Sequence, residues 1–152
     1  MAEFTYNPVQ LVEPGQNVIF NTSIPCNKGY VYHRNESGVV ILRGIVNNPQ
    51  ACYARYQVTF NGNIAIPEGG TAGPISISLA IDGEPLQTSR AIVTPTVADA
   101  YFNVTSTAFI TVPKGCCFQV SVENTSPIGA DTTTPAPAIN VQNANLVVTR
   151  VA

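Results

Sequence analysis

"ISISLAI", residues 75–81, decides the fold class. Successive side chains of a strand point to opposite faces, so Ile75, Ile77, Leu79 and Ile81 fall on one side, with Ser76, Ser78 and Ala80 opposite. A helix would scatter the same four apolar residues around its circumference. Working outward, "CYARYQVTF" (52–60) sends Cys52, Ala54, Tyr56, Val58 and Phe60 inward by the same alternation. In "YFNVTSTAFITV" (101–112) the inner set is Phe102, Val104, Ala108, Ile110 and Val112, and Asn103, Thr105, Thr107 and Thr111 lie outside.

No helical period is sustained anywhere, while Val, Ile, Thr, Tyr and Phe recur in short runs broken by Gly, Pro and Asn. Strands are expected near 9–12, 16–21, 29–34, 39–46, 52–64, 75–82, 90–97, 101–112, 116–124 and 138–151. About ten short strands fit an all-β jelly-roll sandwich of two antiparallel sheets better than a small barrel. "EPGQ" (13–16), "NGN" (61–63), "PEGGTAGP" (67–74) and "DGEP" (82–85) supply turn residues between them. "TSPIGADTTTPAPA" (125–138) reads as an exposed loop, because a strong strand follows it.

A chain of 152 residues suits one domain and buries about 68–70% of its unfolded surface. Charged residues make up only 11%, against about 25% for an ordinary soluble domain, so much of the surface is expected to be covered. The formal charge of −2 and the scattering of Lys28, Arg34, Arg43, Arg55, Arg90, Lys114 and Arg150 exclude a nucleic-acid binder. No apolar run approaches the roughly 20 residues that cross a bilayer. "MAEFTYNPVQ" lacks the basic and apolar segments of a secretory signal, so the expectation is either assembly inside a cell or the removal of an upstream part.

Adjacent Cys116 and Cys117 raise the question of metal or redox chemistry. Alternation places Cys116 with Phe118, Val120 and Val122 on the core face and Cys117 with Gln119, Ser121 and Glu123 outside. Neighbours on a strand cannot converge on one tetrahedral metal, and no CxxC or HxxxH spacing completes a zinc site, so no metal or cofactor is expected. Two disulfides are open to the geometry: Cys52 with Cys116, both assigned inward, and Cys26 with Cys117, within a subunit or across to another. The preferred reading is that inward cysteines are small buried hydrophobes, since a reducing cytosol disfavours disulfides.

His33 is the only histidine, so any nucleophilic triad must use it as base. Set in the aromatic run "YVYHRNES", it reads as a packing residue among Tyr30 and Tyr32. The carboxylates lie mostly in turns; Asp82 and Glu84 flank Gly83, where a turn alone accounts for them. "EGGTAG" lacks the Lys and helix of a phosphate loop. No catalytic residues are therefore assigned. Four N-x-S/T matches, at Asn21, Asn35, Asn103 and Asn124, mark glycans only in a glycosylating secretory pathway.

Two strands break the tidy alternation. In "INVQNANLVVTRVA" Leu146 and Val148 face one way and Val147 and Val151 the other; "VVILRGIV" (39–46) sets Val39, Ile41 and Ile45 against Val40, Leu42 and Val46. A strand apolar on both faces is covered on both. The simplest second cover is another copy, so Leu146, Val147, Val148, Val151, Ile41 and Ile45 are the expected subunit interface.

"CYARYQVTFNGNI", "SISLAIDGEPL", "FITVPKGCCFQVSVENTS" and the closing "NANLVVTRVA" resemble the strands and turns of the trimeric jelly rolls of the C1q and tumour-necrosis-factor type, in particular their bacterial and phage versions. The resemblance covers most of residues 16–152, without a Gly-X-Y stalk and with a doubled Cys foreign to the usual pattern. It implies a non-enzymatic homotrimer: a phage capsid decoration or head-fibre protein at the virion surface, made in the bacterial host cytoplasm, with the major capsid protein or another virion protein as partner. Residues 1–15 would then be an N-terminal segment contacting a capsid or a neighbouring subunit, or a simple first strand, before a single domain over 16–152. The alternative is a secreted or cell-surface C1q/TNF-like module that recognises carbohydrate or a protein receptor.

Overall fold

The computed structural model describes residues 1–24, 29–45, 48–127 and 135–152. Among the described residues twelve strands follow one another: β1 (Ala2–Tyr6), β2 (Gln10–Val12), β3 (Thr22–Ile24), β4 (Val31–His33), β5 (Val40–Arg43), β6 (Tyr53–Ala65), β7 (Ile75–Ile81), β8 (Glu84–Pro85), β9 (Ala91–Val93), β10 (Phe102–Pro113), β11 (Cys117–Asn124) and β12 (Ile139–Arg150). The only helical element described is a 3-10 turn at Gln87–Ser89. Sheet A runs β10-β6-β12-β1-β3, with β2 added beside β12; sheet B runs β4-β5-β11-β7-β8, with β9 also on β7. All pairings are antiparallel, and the two sheets face each other as a jelly roll.

The core is what alternation requires. From sheet A, Ala54, Tyr56, Val58 and Phe60 of β6 and Val104, Ile110 and Val112 of β10 meet Ile75, Ile77 and Leu79 of β7 and Val120 and Val122 of β11 from sheet B. Phe60 and Leu79 are fully buried, each contributing about 1.5–3 kcal/mol. One exception is Phe102, expected inside but 43% exposed at the very start of β10.

Three short elements, β1, β3 and β8, lie outside the strand ranges expected from the sequence, whereas β2 falls within 9–12. β1 buries Ala2 and Phe4 and lies between β12 and β3, while β2 pairs with the start of β12. Ala2–Tyr6 and Gln10–Val12 thus supply two strands to sheet A. β3 and the two-residue β8 were also unanticipated. Conversely 16–21 is no strand: it contributes only the isolated bridges Asn17↔Glu123 and Phe20↔Ser37, yet Val18 and Phe20 are fully buried.

β7 is buried on both faces, so Ser76, Ser78 and Ala80 do not face water. Thr125 and Ser126 lie across them: Ser76 and Ser78 each share a hydrogen bond with the Thr125 hydroxyl (3.0 and 2.9 Å), and the Ser76 N–H donates to Ser126 Oγ (3.1 Å). Arg90 closes this polar layer, donating to Ser76 Oγ and the Thr125 carbonyl. The beginning of the supposed exposed loop 125–138 is therefore part of the fold; residues 128–134 lie outside the described residues.

β12 explains the doubled apolar pattern near the C-terminus. A bulge between Gln142 and Asn145 shifts its register on β6, with Asn143 in the left-handed region at φ 54°. The extra residue reverses the phase: Ile139 and Val141 point into the core before it, and Ala144, Leu146 and Val148 after it.

Candidate functional site

Outward-facing residues of sheet A make a surface five strands wide. Register aligns Thr105, Asn61, Asn145, Thr5 and Thr22 in one row, and Thr107, Thr59, Val147, Glu3 and Ile24 in the next. The polar members are tied to one another. Thr59 and Thr107 hydroxyls meet at 3.1 Å, Asn103 Nδ2 donates to Asn61 and Asn63 Oδ1 at 2.9 and 3.2 Å, and Thr105 Oγ1 donates to Asn61 Oδ1 at 3.1 Å. Among the described outward positions of these strands the charged groups are Glu3 and Arg55, and both are engaged. Glu3 accepts from Asn145 Nδ2 at 2.5 Å, and the Arg55 guanidinium lies 4.9 Å from the centre of the Phe109 ring. Phe109, Ile24 and Tyr53 stand exposed at 55%, 57% and 48%. Polar groups that already satisfy one another lose less on dehydration than free ones, so this face is suited to being covered.

The residues expected to form a subunit interface do not form one surface. Leu146 and Val148 are fully buried inside the subunit, because the bulge in β12 turns them inward. Val147 lies half-buried in the middle of the outer face of sheet A, and Val151, just beyond β12, is 47% exposed. Ile41 belongs to sheet B, half-buried on its outer side between Tyr32 and Gln119, and Ile45 packs against the core. Val46 lies outside the described residues.

The cysteines also differ from expectation. Cys52 and Cys116, assigned to the core, are exposed and free, as is Cys117; neither Cys52–Cys116 nor a pairing of Cys117 is formed. The alternation is right, but the sandwich ends first. Cys52 precedes β6 and Cys116 closes the turn after β10, so no opposing sheet covers them. Cys26 lies outside the described residues.

His33 is held as a packing residue. Its Nε2–H donates to the Ser37 carbonyl (2.9 Å), which leaves Nδ1 to accept from the Ser23 hydroxyl (2.8 Å). Its ring packs against Phe4 and Phe20, at 4.9 and 6.4 Å between centroids, rather than among Tyr30 and Tyr32. Both ring nitrogens are thus engaged with neighbouring strands and turns, and no carboxylate is among the hydrogen-bond partners described for the ring. Asp82 accepts from the Gln119 N–H of β11 (2.9 Å), a contact across the sheet that the local turn did not reveal. Glu123, half-buried on β11, has its carboxyl pushed above the ordinary range by burial and then by the nearby charge of Glu84. No group of three or more His, Cys, Asp or Glu converges on a metal position among the described residues. No described helix is long and apolar enough to cross a membrane.

The four glycan sequons separate by position. Asn124 is 2% exposed and its amide is fully occupied, whereas Asn21 and Asn35 are exposed and Asn103 lies on the outer face of sheet A.

With the fold in view, comparison with solved structures finds a match to the globular domain of zebrafish complement 1qA protein: TM-score 0.52, 14% identity, covering 96% of this chain and 94% of that one. This chain shares that domain's jelly-roll fold. Two other matches are the C-terminal domain of the sugar-binding protein EclA (TM-score 0.37, 16% identity, 81% and 86% covered) and a xylan-binding domain from Paenibacillus barcinonensis (TM-score 0.34, 9% identity, 99% and 87% covered). Likenesses that distant carry no functional argument. No protein-family model and no curated protein sequence matches the chain.

Proposed function

We propose that this chain is a non-enzymatic structural protein: a homotrimeric jelly roll, held to its own copies through the outer face of sheet A, that decorates a phage capsid or forms a head fibre. The observation that carries self-association is that face itself, uncharged apart from Glu3 and Arg55, laterally hydrogen-bonded and studded with Phe109, Ile24 and Tyr53. A second exposed apolar cluster, Ile92, Val97, Tyr101 and Phe102, lies around β9 and the start of β10. Two different surfaces on one chain suit a heterologous contact that closes into a ring. The virion setting rests on the sequence resemblance set out above.

The alternative, a secreted or cell-surface module that binds carbohydrate or a protein receptor, gains from Tyr32, Tyr53 and Tyr101, which stand 54%, 48% and 36% exposed. Exposed aromatic rings are what such modules present to ligands.

Light scattering after size exclusion tests the first reading. The native chain is expected to elute as a trimer, and Thr107→Glu, which sets a carboxylate beside Thr59 on the β10 side of the face, as a monomer with an unchanged circular dichroism spectrum. A native monomer at every concentration, or a trimer indifferent to Thr107→Glu and to Val147→Glu, refutes it. Retention on immobilised glycans by such a monomer would transfer support to the binding module.

A further inference from the structure

Three of the four cysteines, the adjacent pair Cys116 and Cys117 and the sequence-distant Cys52, are gathered at one end of the sandwich. The Lys114 N–H donates to the Cys52 carbonyl (2.9 Å), and the Cys116 N–H closes the turn onto the Pro113 carbonyl (3.1 Å). Gly44 donates to the Cys116 carbonyl (2.9 Å), and Cys117 pairs with Arg43. Gly44 makes this close approach possible, because a Cβ there would lie 2.2 Å from the Pro113 oxygen. The backbone of this end is thus fixed while its thiols are exposed. Free cysteine is ordinarily among the most buried of residues, and exposed thiols react.

We propose that this end is a disulfide-exchange site that links one copy of the chain to another, an inference that rests on self-association through sheet A. Within one copy Cys52, Cys116 and Cys117 are unpaired. Cys117 opens β11 in sheet B, whereas Cys52 adjoins Tyr53, whose side chain belongs to the outer face of sheet A. Copies related by rotation about an axis that runs along the strands of that face have the same end level with one another, an arrangement that sets their exposed thiols on the same side of the assembly.

The oxidant is a small disulfide such as oxidised glutathione. A thiolate of one copy attacks it, forming a mixed disulfide and releasing one glutathione thiolate. A thiolate of the second copy then attacks the protein sulfur of that mixed disulfide, forming the bond between copies and releasing the second glutathione. Two protein thiols are oxidised, one glutathione disulfide is reduced to two thiols, and the two protons pass to the departing thiolates. In a reducing cytosol the end stays as thiols; outside a cell it cross-links.

The test treats the purified chain with oxidised glutathione and reads a denaturing gel without reductant, with intact-mass analysis. Light scattering on the reduced chain is run in parallel. A covalent species no larger than the assembly seen by light scattering is expected, abolished in the Cys52→Ser/Cys116→Ser/Cys117→Ser variant and retained in Cys26→Ser. Glutathione adducts on monomers alone, a ladder exceeding the assembly, or a cross-link that survives the triple substitution overturns the proposal. A trimer with no cross-link overturns this proposal only; a monomer with no cross-link overturns the self-association reading as well.

Discussion

Asn124 joins three pieces of chain that the two sheets alone would leave apart, and its replacement by Ala should show what that joint contributes. From the end of β11 in sheet B its Nδ2 donates to the Val12 carbonyl of β2 in sheet A and to the Pro137 carbonyl ahead of β12, both at 3.0 Å. Its Oδ1 accepts from the Ser126 N–H at 3.0 Å and the Ser126 hydroxyl at 2.6 Å. A typical hydrogen bond contributes about 1 kcal/mol net, and a buried group left without a partner costs about 1–3 kcal/mol. The side chain is only 2% exposed, so water cannot replace it at every partner. Four lost bonds therefore give a destabilisation of about 3–5 kcal/mol, a large share of the 5–15 kcal/mol typical of a domain. Urea unfolding followed by circular dichroism reads this as a lower midpoint at unchanged slope. Asn124→Asp serves as the control. It keeps the acceptor towards Ser126 but sets a second oxygen against the carbonyls of Val12 and Pro137, so it should lose at least as much at neutral pH. A loss below about 1 kcal/mol in Asn124→Ala would refute the reasoning, since it would mean that the amide's bonds contribute nothing the solvent cannot supply.

Other substitutions test separate parts of the structure. Glu123 has its folded pKa raised above the unfolded value of 4.5, by burial first and Glu84 second. The folded state then holds the proton more tightly, so its penalty is absent below the unfolded value and complete once pH passes the folded one. Glu123→Gln should accordingly leave the unfolding midpoint unchanged in acid and raise it at neutral pH; a gain confined to acid would contradict the assignment. Gly44→Ala places a Cβ against backbone oxygens of Pro113 and Cys116, at 2.2 and 3.2 Å, and thermal unfolding should show a loss of about 1–3 kcal/mol. Tyr56 donates its hydroxyl to the Arg43 carbonyl at 2.5 Å; Tyr56→Phe should cost about 1–2 kcal/mol in denaturant while keeping the β spectrum, through a buried carbonyl left short of a donor.

Much of the fold was legible because the period of a strand is local. The repeat of two in 75–81, 54–60 and 104–112 identified strands and picked the core residues correctly, and it also predicted the outward row of Asn103, Thr105, Thr107 and Thr111 that forms one edge of the candidate face. The bland reading of His33 agrees with the ring packed on Phe4 and Phe20, although its neighbours were misjudged. Short strands such as β3 and β8 were not legible, since a few residues with mixed polarity carry too little pattern to stand apart from a loop.

What the residues alone determined is which side of a strand each side chain takes relative to its neighbours, and hence an all-β sandwich with little charge to spend on its surface. Only the tertiary structure decided where that relation stops applying. Cys52 and Cys116 have the inward phase but lie beyond the last residue the opposing sheet covers, so they are exposed. Leu146 and Val148 have the phase of a second apolar face until the bulge at Asn143 reverses it and drives them into the core. Ser76 and Ser78 look like surface until Thr125 and Ser126 cross over them. Alternation is a property of one chain segment; burial is a property of whatever lies opposite, and for Ser76 and Ser78 that partner comes from 47 to 50 residues away in the chain.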